Sequence, residues 1–348
     1  MKSIFAPIWT SDTTSAGLKQ VWMIALAVVS IAAWQGVERT ASNLSYPKAK
    51  ELRAAAHLAM VAQAEIIQAK QRLQVMQPAD IDPNRTGLIG PDWSETTTTI
   101  GEVQAKRTTT NPDLAAAIAR ILLNLNPPPG AAVGIVASGS FPGANIAAIA
   151  AVETLGLKAV VISSLGSSMY GANDPEFGWL DMEAAIRRAG IWQTRTTAVV
   201  LGGESATAES LTGTGREMLI GAARRGGYEP IVTRDLVELK RAVTKAMSDA
   251  APEGLVTVIN IGGSVLGIGT CLDAYAIPNG LITKPLPCEG GITGLVHDFT
   301  TRTVPVLHIL YIKRLALEWG LPYDPVPLPV IGDNTRIYSR LPISLDIK

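Results

Sequence analysis

Between residues 111 and 319, short apolar runs alternate with helical segments, and the runs do not switch between polar and apolar residues. The runs are AVGIVA (132–137), KAVVI (158–162), TTAVVL (196–201), EPIVT (229–233), LVTVIN (255–260) and VPVLHIL (304–310), with GLIT (280–283) as a candidate edge strand. Strands that stay apolar throughout are covered on both faces, as in a buried parallel sheet. The helical stretches are 111–125, 143–155, 179–189, 212–226, 235–249, 291–300 and 311–319. The first starts at Asn111-Pro112-Asp113, a cap, a first-turn proline and an acid, and stops at Pro127-Pro128-Pro129-Gly130. Gly156, Gly190 and Gly320 close three others. This pattern predicts an α/β fold: a mostly parallel sheet flanked by helices, joined by right-handed crossovers. It is preceded by one transmembrane helix and a stalk helix.

The transmembrane expectation rests on residues 21–37, VWMIALAVVSIAAWQGV, which carry no charge. Trp22 and Trp34 lie near the two ends, where interfacial indoles belong. The run is short for a span, which needs about 20 residues. We read it as a retained anchor behind an N-terminal segment, 1–20. A signal peptide cleaved near Ser30-Ile31-Ala32 is the competing reading. Lys2 and Lys19 precede the run, and Arg39, Lys48, Lys50 and Arg53 follow it. That asymmetry leans toward a cytoplasmic C-terminal domain, but large domains cross regardless of such a bias, so the side stays open.

Segment 46–77 is Ala-rich, with Leu52, Ala56, Ala59, Met60, Ile66, Ile67 and Leu73 at helical spacing. It reads as a stalk or packing helix, or a self-association surface, with His57 on its surface. Segment 78–110 is rich in Thr, Pro and Gly and reads as a long loop with short extended pieces. Its Thr runs are read as β-prone, solvent-facing strand, with the lining of a polar site as the competing reading. The α/β domain, 111–348, ends in a Pro-rich tail that wraps the surface.

Thirty basic residues balance thirty acidic ones, with no basic stripe, so nucleic acid is excluded as a partner. The two cysteines, Cys271 and Cys288, match no zinc spacing. They form one disulfide if the domain is exported, or remain buried thiols. Neither a P-loop nor a dinucleotide fingerprint occurs, and no cofactor or metal is expected.

In such sheets ligands sit beyond the carboxyl ends of the strands. The segments found there are Ser138-Gly139-Ser140-Phe141-Pro142-Gly143-Ala144-Asn145, Ser163 through Asp174, Gly202-Gly203-Glu204-Ser205, and Gly262-Gly263-Ser264 followed by Gly267 and Gly269. Glycines admit close backbone approach, and hydroxyls with free amides favour anions. The expected ligand-binding set is Ser138, Gly139, Ser140, Asn145, Ser167, Ser168, Asn173, Gly262, Gly263 and Ser264. The competing reading is ordinary turn and cap chemistry. For catalysis, Ser138 is the candidate nucleophile, His308 its base and Asp181 the orienting acid, with His297 and Asp298 as substitutes. No Gly-x-Ser-x-Gly elbow surrounds Ser138, which also reads as a plain helix-start ligand. The acidic group Asp174, Glu176, Asp181 and Glu183 serves as helix-dipole partners or as an acid–base or metal pair.

Six strings carry a resemblance: SDTTSAGLKQVWM, NRTGLIGPDWSETTTTIG, ASGSFPGANIAA, SSLGSSMYGANDPEFGWLDME, NIGGSVLGIG and VPVLHILYIKRLALEWGLPYDPVPLP. Through them the chain, from residue 11 to about 332, resembles the bacterial poly-gamma-glutamate system protein family. The resemblance implies a membrane-associated accessory role in making or exporting that polymer. Its expected partners are poly-gamma-glutamate or a glutamyl ligand, the synthase membrane components and the bilayer, with an extracytoplasmic domain from the export role. It supplies no catalytic residues. Three functions are therefore weighed: a binder of glutamyl carboxylates or of the synthase, a serine-dependent hydrolase or transferase acting on gamma-glutamyl amides, and a non-catalytic scaffold.

Overall fold

A computed structural model describes residues 13–43, 45–203 and 210–340, so Glu204 and Ser205 of the third loop lie outside the described residues. The chain divides into two units, 1–47 and 48–348. The first holds α1 (Thr13–Asn43), within which Gln20–Val37 forms an 18-residue window of mean hydropathy 1.6. This helix is long and apolar enough to cross a membrane, and none of that window is buried.

The second unit begins with α2 (Ala49–Leu73), β1 (Thr97–Thr99), α3 (Val103–Thr108) and α4 (Asp113–Asn124). Then come β2 (Ala132–Ser138), α5 (Pro142–Thr154), β3 (Lys158–Ser164), β4 (Ser167–Ser168), α6 (Trp179–Arg188), β5 (Thr196–Val200), α7 (Gly213–Arg225) and α8 (Leu236–Ala250). The chain continues with β6 (Leu255–Ile261), α9 (Val265–Ile268), a 3-10 turn at Ala274–Ala276, β7 (Gly280–Ile282), α10 (Leu295–Thr301), β8 (Val306–Ile309), α11 (Ile312–Trp319) and α12 (Thr335–Tyr338).

Six strands form one sheet in the order β5-β3-β2-β6-β8-β7. All neighbours run parallel except β7, which pairs antiparallel with β8 at the edge. EPIVT contributes only a single bridge, Ile231 to Val200, and is not a strand. Both faces are covered, as the unbroken apolar runs require. Val136, Val160, Ile162, Val258 and Val306 pack on one face with α8, α9 and α10. The opposite side carries α2, α4 and α5, which pack on one another.

Of the readings of segment 46–77, this arrangement is that of a packing helix rather than a stalk. Leu52, Ala55, Ala56, Ala59, Ala62 and Ile66 of α2 are all at most 1% exposed. Their small side chains let α2 lie close on α4 and α5 as a layer of the domain. His57 is exposed.

Segment 78–110 is also more structured than expected. β1 pairs parallel with β4 in a second, two-stranded sheet, Thr97 opposite Ser167. Thr96, Thr97 and Thr98 are buried rather than solvent-facing. Their hydroxyls are satisfied inside: Thr96 donates to the Asn173 carbonyl at 2.9 Å, and Thr98 to the Ser167 carbonyl at 3.1 Å. Cys271 and Cys288 form a disulfide, with Cα atoms 5.3 Å apart. The tail is strapped down by Asp324, which takes a two-pronged ion pair from Arg107 at 2.7 and 2.6 Å. Arg120 holds it further on, donating to the carbonyls of Arg336, Ile337 and Ser339, each at 2.9 Å.

Candidate functional site

β2 is flanked by β3 on one side and β6 on the other, so the crossovers leave it in opposite directions. Such a reversal opens a crevice at the strands' carboxyl ends, because the loops diverge there. A cavity of about 440 Å³ lies at this edge. Ser138, Ser140 and Phe141 line it after β2, Ser164, Gly166 and Ser168 after β3, and Gly203 after β5. Gly263 and Ser264 follow β6, and Leu310 through Lys313 follow β8. The roof is Thr98 through Glu102 with Ala105 and Lys106, from β1 and α3.

Lys106 is the centre of this site. The residue is 3% exposed. Its Nζ donates to the Ser168 Oγ at 2.7 Å and lies 3.7 Å from the centroid of the Phe141 ring. No carboxylate among the described residues pairs with it. Burial pulls its ammonium down to about 7, because the charged form loses water without gaining a counter-ion. Gly101 is needed beside it. A Cβ there would stand 3.0 Å from the Ser168 Oγ and 3.3 Å from the Lys106 Cε, forcing the pair apart.

Ser168 is held from two directions. Its amide donates to the Ser140 Oγ at 3.0 Å, and the next amide, of Met169, donates to the Thr99 carbonyl at 3.0 Å. Ser140 in turn donates its amide to the Ser138 Oγ at 3.1 Å. The loops after β2 and β3 are thus knitted to the roof by hydroxyls. Tyr275 and Tyr311 also line the cavity, and the Tyr311 hydroxyl donates to the Tyr275 carbonyl at 2.7 Å.

Of the residues expected from sequence, Ser138, Ser140, Ser168, Gly263 and Ser264 line the cavity. Gly139, Asn145, Ser167, Asn173 and Gly262 do not; they build its walls from behind. The Asn145 side chain accepts from the Ser138 amide at 3.2 Å and donates to the Ser138 carbonyl at 2.8 Å, closing the turn. Ser167 donates to the Gly139 carbonyl at 3.0 Å. Asn173 donates to Pro91 and Thr97 at 2.9 and 2.8 Å, clamping the roof segment. Glycine in these loops serves loop-on-loop contact: a Cβ on Gly171 would meet the Gly139 carbonyl at 2.7 Å.

The geometry does not assemble Ser138, His308 and Asp181. In register, Asn260 stands opposite Val136 and His308 opposite Asn260, so His308 is two strands from β2 and two residues short of Ser138. At the usual strand spacing the lateral separation alone is roughly 10 Å, far beyond hydrogen-bond reach. His308 is 0% exposed, and its Nδ1 accepts from the Asn260 amide at 2.9 Å. Burial pulls its imidazole down to about 4, so it stays neutral as a core residue. Asp181 caps the start of α6 by accepting from the Gly178 amide at 3.0 Å, away from the cavity. His297 is buried on α10, and Asp298 pairs with Lys240 at 2.8 Å. Glu183 accepts from the Thr196 amide at 3.0 Å. Among the described residues no group of acids, histidines and cysteines has the arrangement of a metal site.

Sequence reasoning missed Lys106, Lys313 and the two tyrosines, and ranked the lining role of Thr98 and Thr99 below a solvent-facing one. Comparison of the chain with protein-family models, curated proteins and solved structures gave no match.

Proposed function

We propose that the chain is a membrane-anchored accessory protein of poly-gamma-glutamate synthesis or export, whose cavity binds a carboxylate-bearing glutamyl ligand. The observation that carries this is Lys106, a cation enclosed by hydroxyls and an aromatic ring with no counter-charge among the described residues. A buried ammonium without a partner is unfavourable, and an entering carboxylate relieves that. Lys313, exposed on α11 and lining the same cavity, adds a second cation nearer the solvent. The hydroxyls of Ser138, Ser140, Ser164 and Thr99 supply further donors. The volume falls within the roughly 300–1,000 Å³ usual for small-molecule sites.

The apolar window Gln20–Val37 supports the anchor. The Cys271–Cys288 bridge supports an extracytoplasmic domain, because disulfides persist in oxidising compartments. The resemblance stated above is what narrows the carboxylate to a glutamyl one.

Calorimetry on the full chain in detergent micelles tests the reading. Gamma-linked glutamate oligomers should bind, gamma-linked glutamine oligomers should not, and Lys106→Met should remove the signal. A native protein silent toward glutamate oligomers, with no synthase component recovered in pull-downs, refutes it. The scaffold reading predicts unchanged polymer yield in cells carrying Lys106→Met.

A further inference from the structure

We propose that Ser168 and Lys106 form a nucleophile–base pair that transfers the acyl group of a gamma-glutamyl amide held in this cavity. The substrate class rests on the function proposed above; the pair itself rests on geometry. A serine nucleophile needs a base within hydrogen-bond reach, and a third group to orient that base. The 2.7 Å contact between Nζ and Oγ meets the first requirement. The Phe141 ring under Nζ and the backbone at Gly101 against both side chains meet the second. Ser168 and Lys106 both line the cavity, which puts the pair at the edge of the space a substrate would fill. Serine–lysine pairs serve acyl transfer on unrelated folds, where a neutral lysine replaces histidine. Burial brings Lys106 to about 7, where amine and ammonium are both populated and proton transfer in either direction is accessible.

The step balances as follows. The Ser168 hydroxyl proton moves to the Lys106 amine, which becomes an ammonium. Oγ forms a bond to the amide carbonyl carbon, and the carbonyl π pair moves onto oxygen. Collapse restores the carbonyl and breaks the C–N bond, while the ammonium returns its proton to the leaving amine. Water, or the amine of a second glutamyl unit, then takes the acyl group from Ser168 by the same proton traffic in reverse. A carboxylate facing Lys106 holds it protonated, so the binding pose proposed above is the unreactive one; in the reactive pose the carboxylate lies against Lys313, which lines the same cavity, and the amide faces Ser168. The other titratable groups lining the cavity are Glu102, Tyr275 and Tyr311.

The test treats the full chain in detergent micelles with a fluorophosphonate, which reacts preferentially with activated serines, and maps the adduct by mass spectrometry. The adduct should fall on Ser168, with a rate that rises with pH and levels off above an apparent pKa near 7. Lys106→Met and Lys106→Arg should each slow labelling by about 100-fold or more, and Ser168→Ala should abolish it. The arginine variant keeps length and charge but has no accessible neutral form, and circular dichroism checks that it folds. No adduct on Ser168 from about pH 6 to about 9, or labelling of the lysine variants at the native rate, overturns the proposal. Binding of gamma-glutamyl-glutamate, measured alongside, separates the two readings. Binding without labelling overturns acyl transfer and leaves the binding function; labelling without binding overturns the glutamyl assignment and leaves the pair.

Discussion

The Nζ of Lys106 and the Oγ of Ser168 stand 2.7 Å apart under a roof of threonines, with no carboxylate among the described residues to neutralise the nitrogen. Lys106 therefore weakens the empty protein. Its folded pKa, about 7, lies below the 10.5 of the free side chain. Between those values the unfolded chain binds one more proton than the folded chain, so stability rises with pH across this window. Below about 7 both states are protonated and the penalty is complete. Lys106→Met should thus be more stable than the native protein at pH 6 by a few kcal/mol, the gap narrowing toward pH 10. Urea denaturation at a series of pH values measures this, and a constant gap would refute it.

His308 acts in the opposite pH range. Its folded pKa is about 4 against 6.5 for the free imidazole. The unfolded chain takes up a proton that the core excludes, so stability is lost as pH falls from about 6.5 to about 4. His308→Gln, whose amide oxygen can still accept from Asn260, should flatten that loss relative to the native curve. Thermal melts across the acid range would show it.

The Cys271–Cys288 bridge closes a loop with a sequence separation of 17. A loop of that length contributes about 3 kcal/mol in the chain-entropy view. Reductant, or Cys271→Ser with Cys288→Ser, should lower the melting temperature by several degrees. A melt unchanged by reductant would mean that the thiols are free in the purified protein.

Arg107 should matter through the roof. Its fork to Asp324 joins α3 to the tail with both side chains mostly buried, 14% and 20% exposed. Arg107→Ala should cost about 1–3 kcal/mol, and Arg107→Lys should recover only part, since an ammonium cannot grip both carboxylate oxygens. Chemical denaturation of the three proteins gives the order directly.

Retention of the anchor is open to mass measurement. Protein purified from membranes should retain the Gln20–Val37 window and resist carbonate extraction. A mature chain starting shortly after Ala32 would establish cleavage instead.

The sheet was legible because its strands had to be apolar on both faces, and the edge piece GLIT stood out as the short, weak one. The rim was legible for the same reason, since residues following a buried strand have a known place in space. Ser138, Ser140, Ser168, Gly263 and Ser264 were found that way. The roof was not. Thr97–Thr99 precede β2 by more than thirty residues and become buried only by pairing with β4, a contact that no local pattern announces. Lys106 sits in a six-residue helix beside Arg107, and lysine is so seldom buried that nothing in AKRTTT marks it. The sequence order of the polar residues also misled. His308 looked terminal to its strand, yet it lies inside β8 under Asn260.

Ser138 rides on β2, laddered to neighbours on both sides, whereas Lys106 lies on α3, just after a three-residue strand that grips a two-residue partner. The two halves of the site must then breathe on separate clocks. Amide protons of Thr97–Thr99 should trade with deuterium well before those of Val133–Ala137. Opening of that roof would carry Lys106 away from Ser168, so the proposed base and nucleophile would meet only while it is closed.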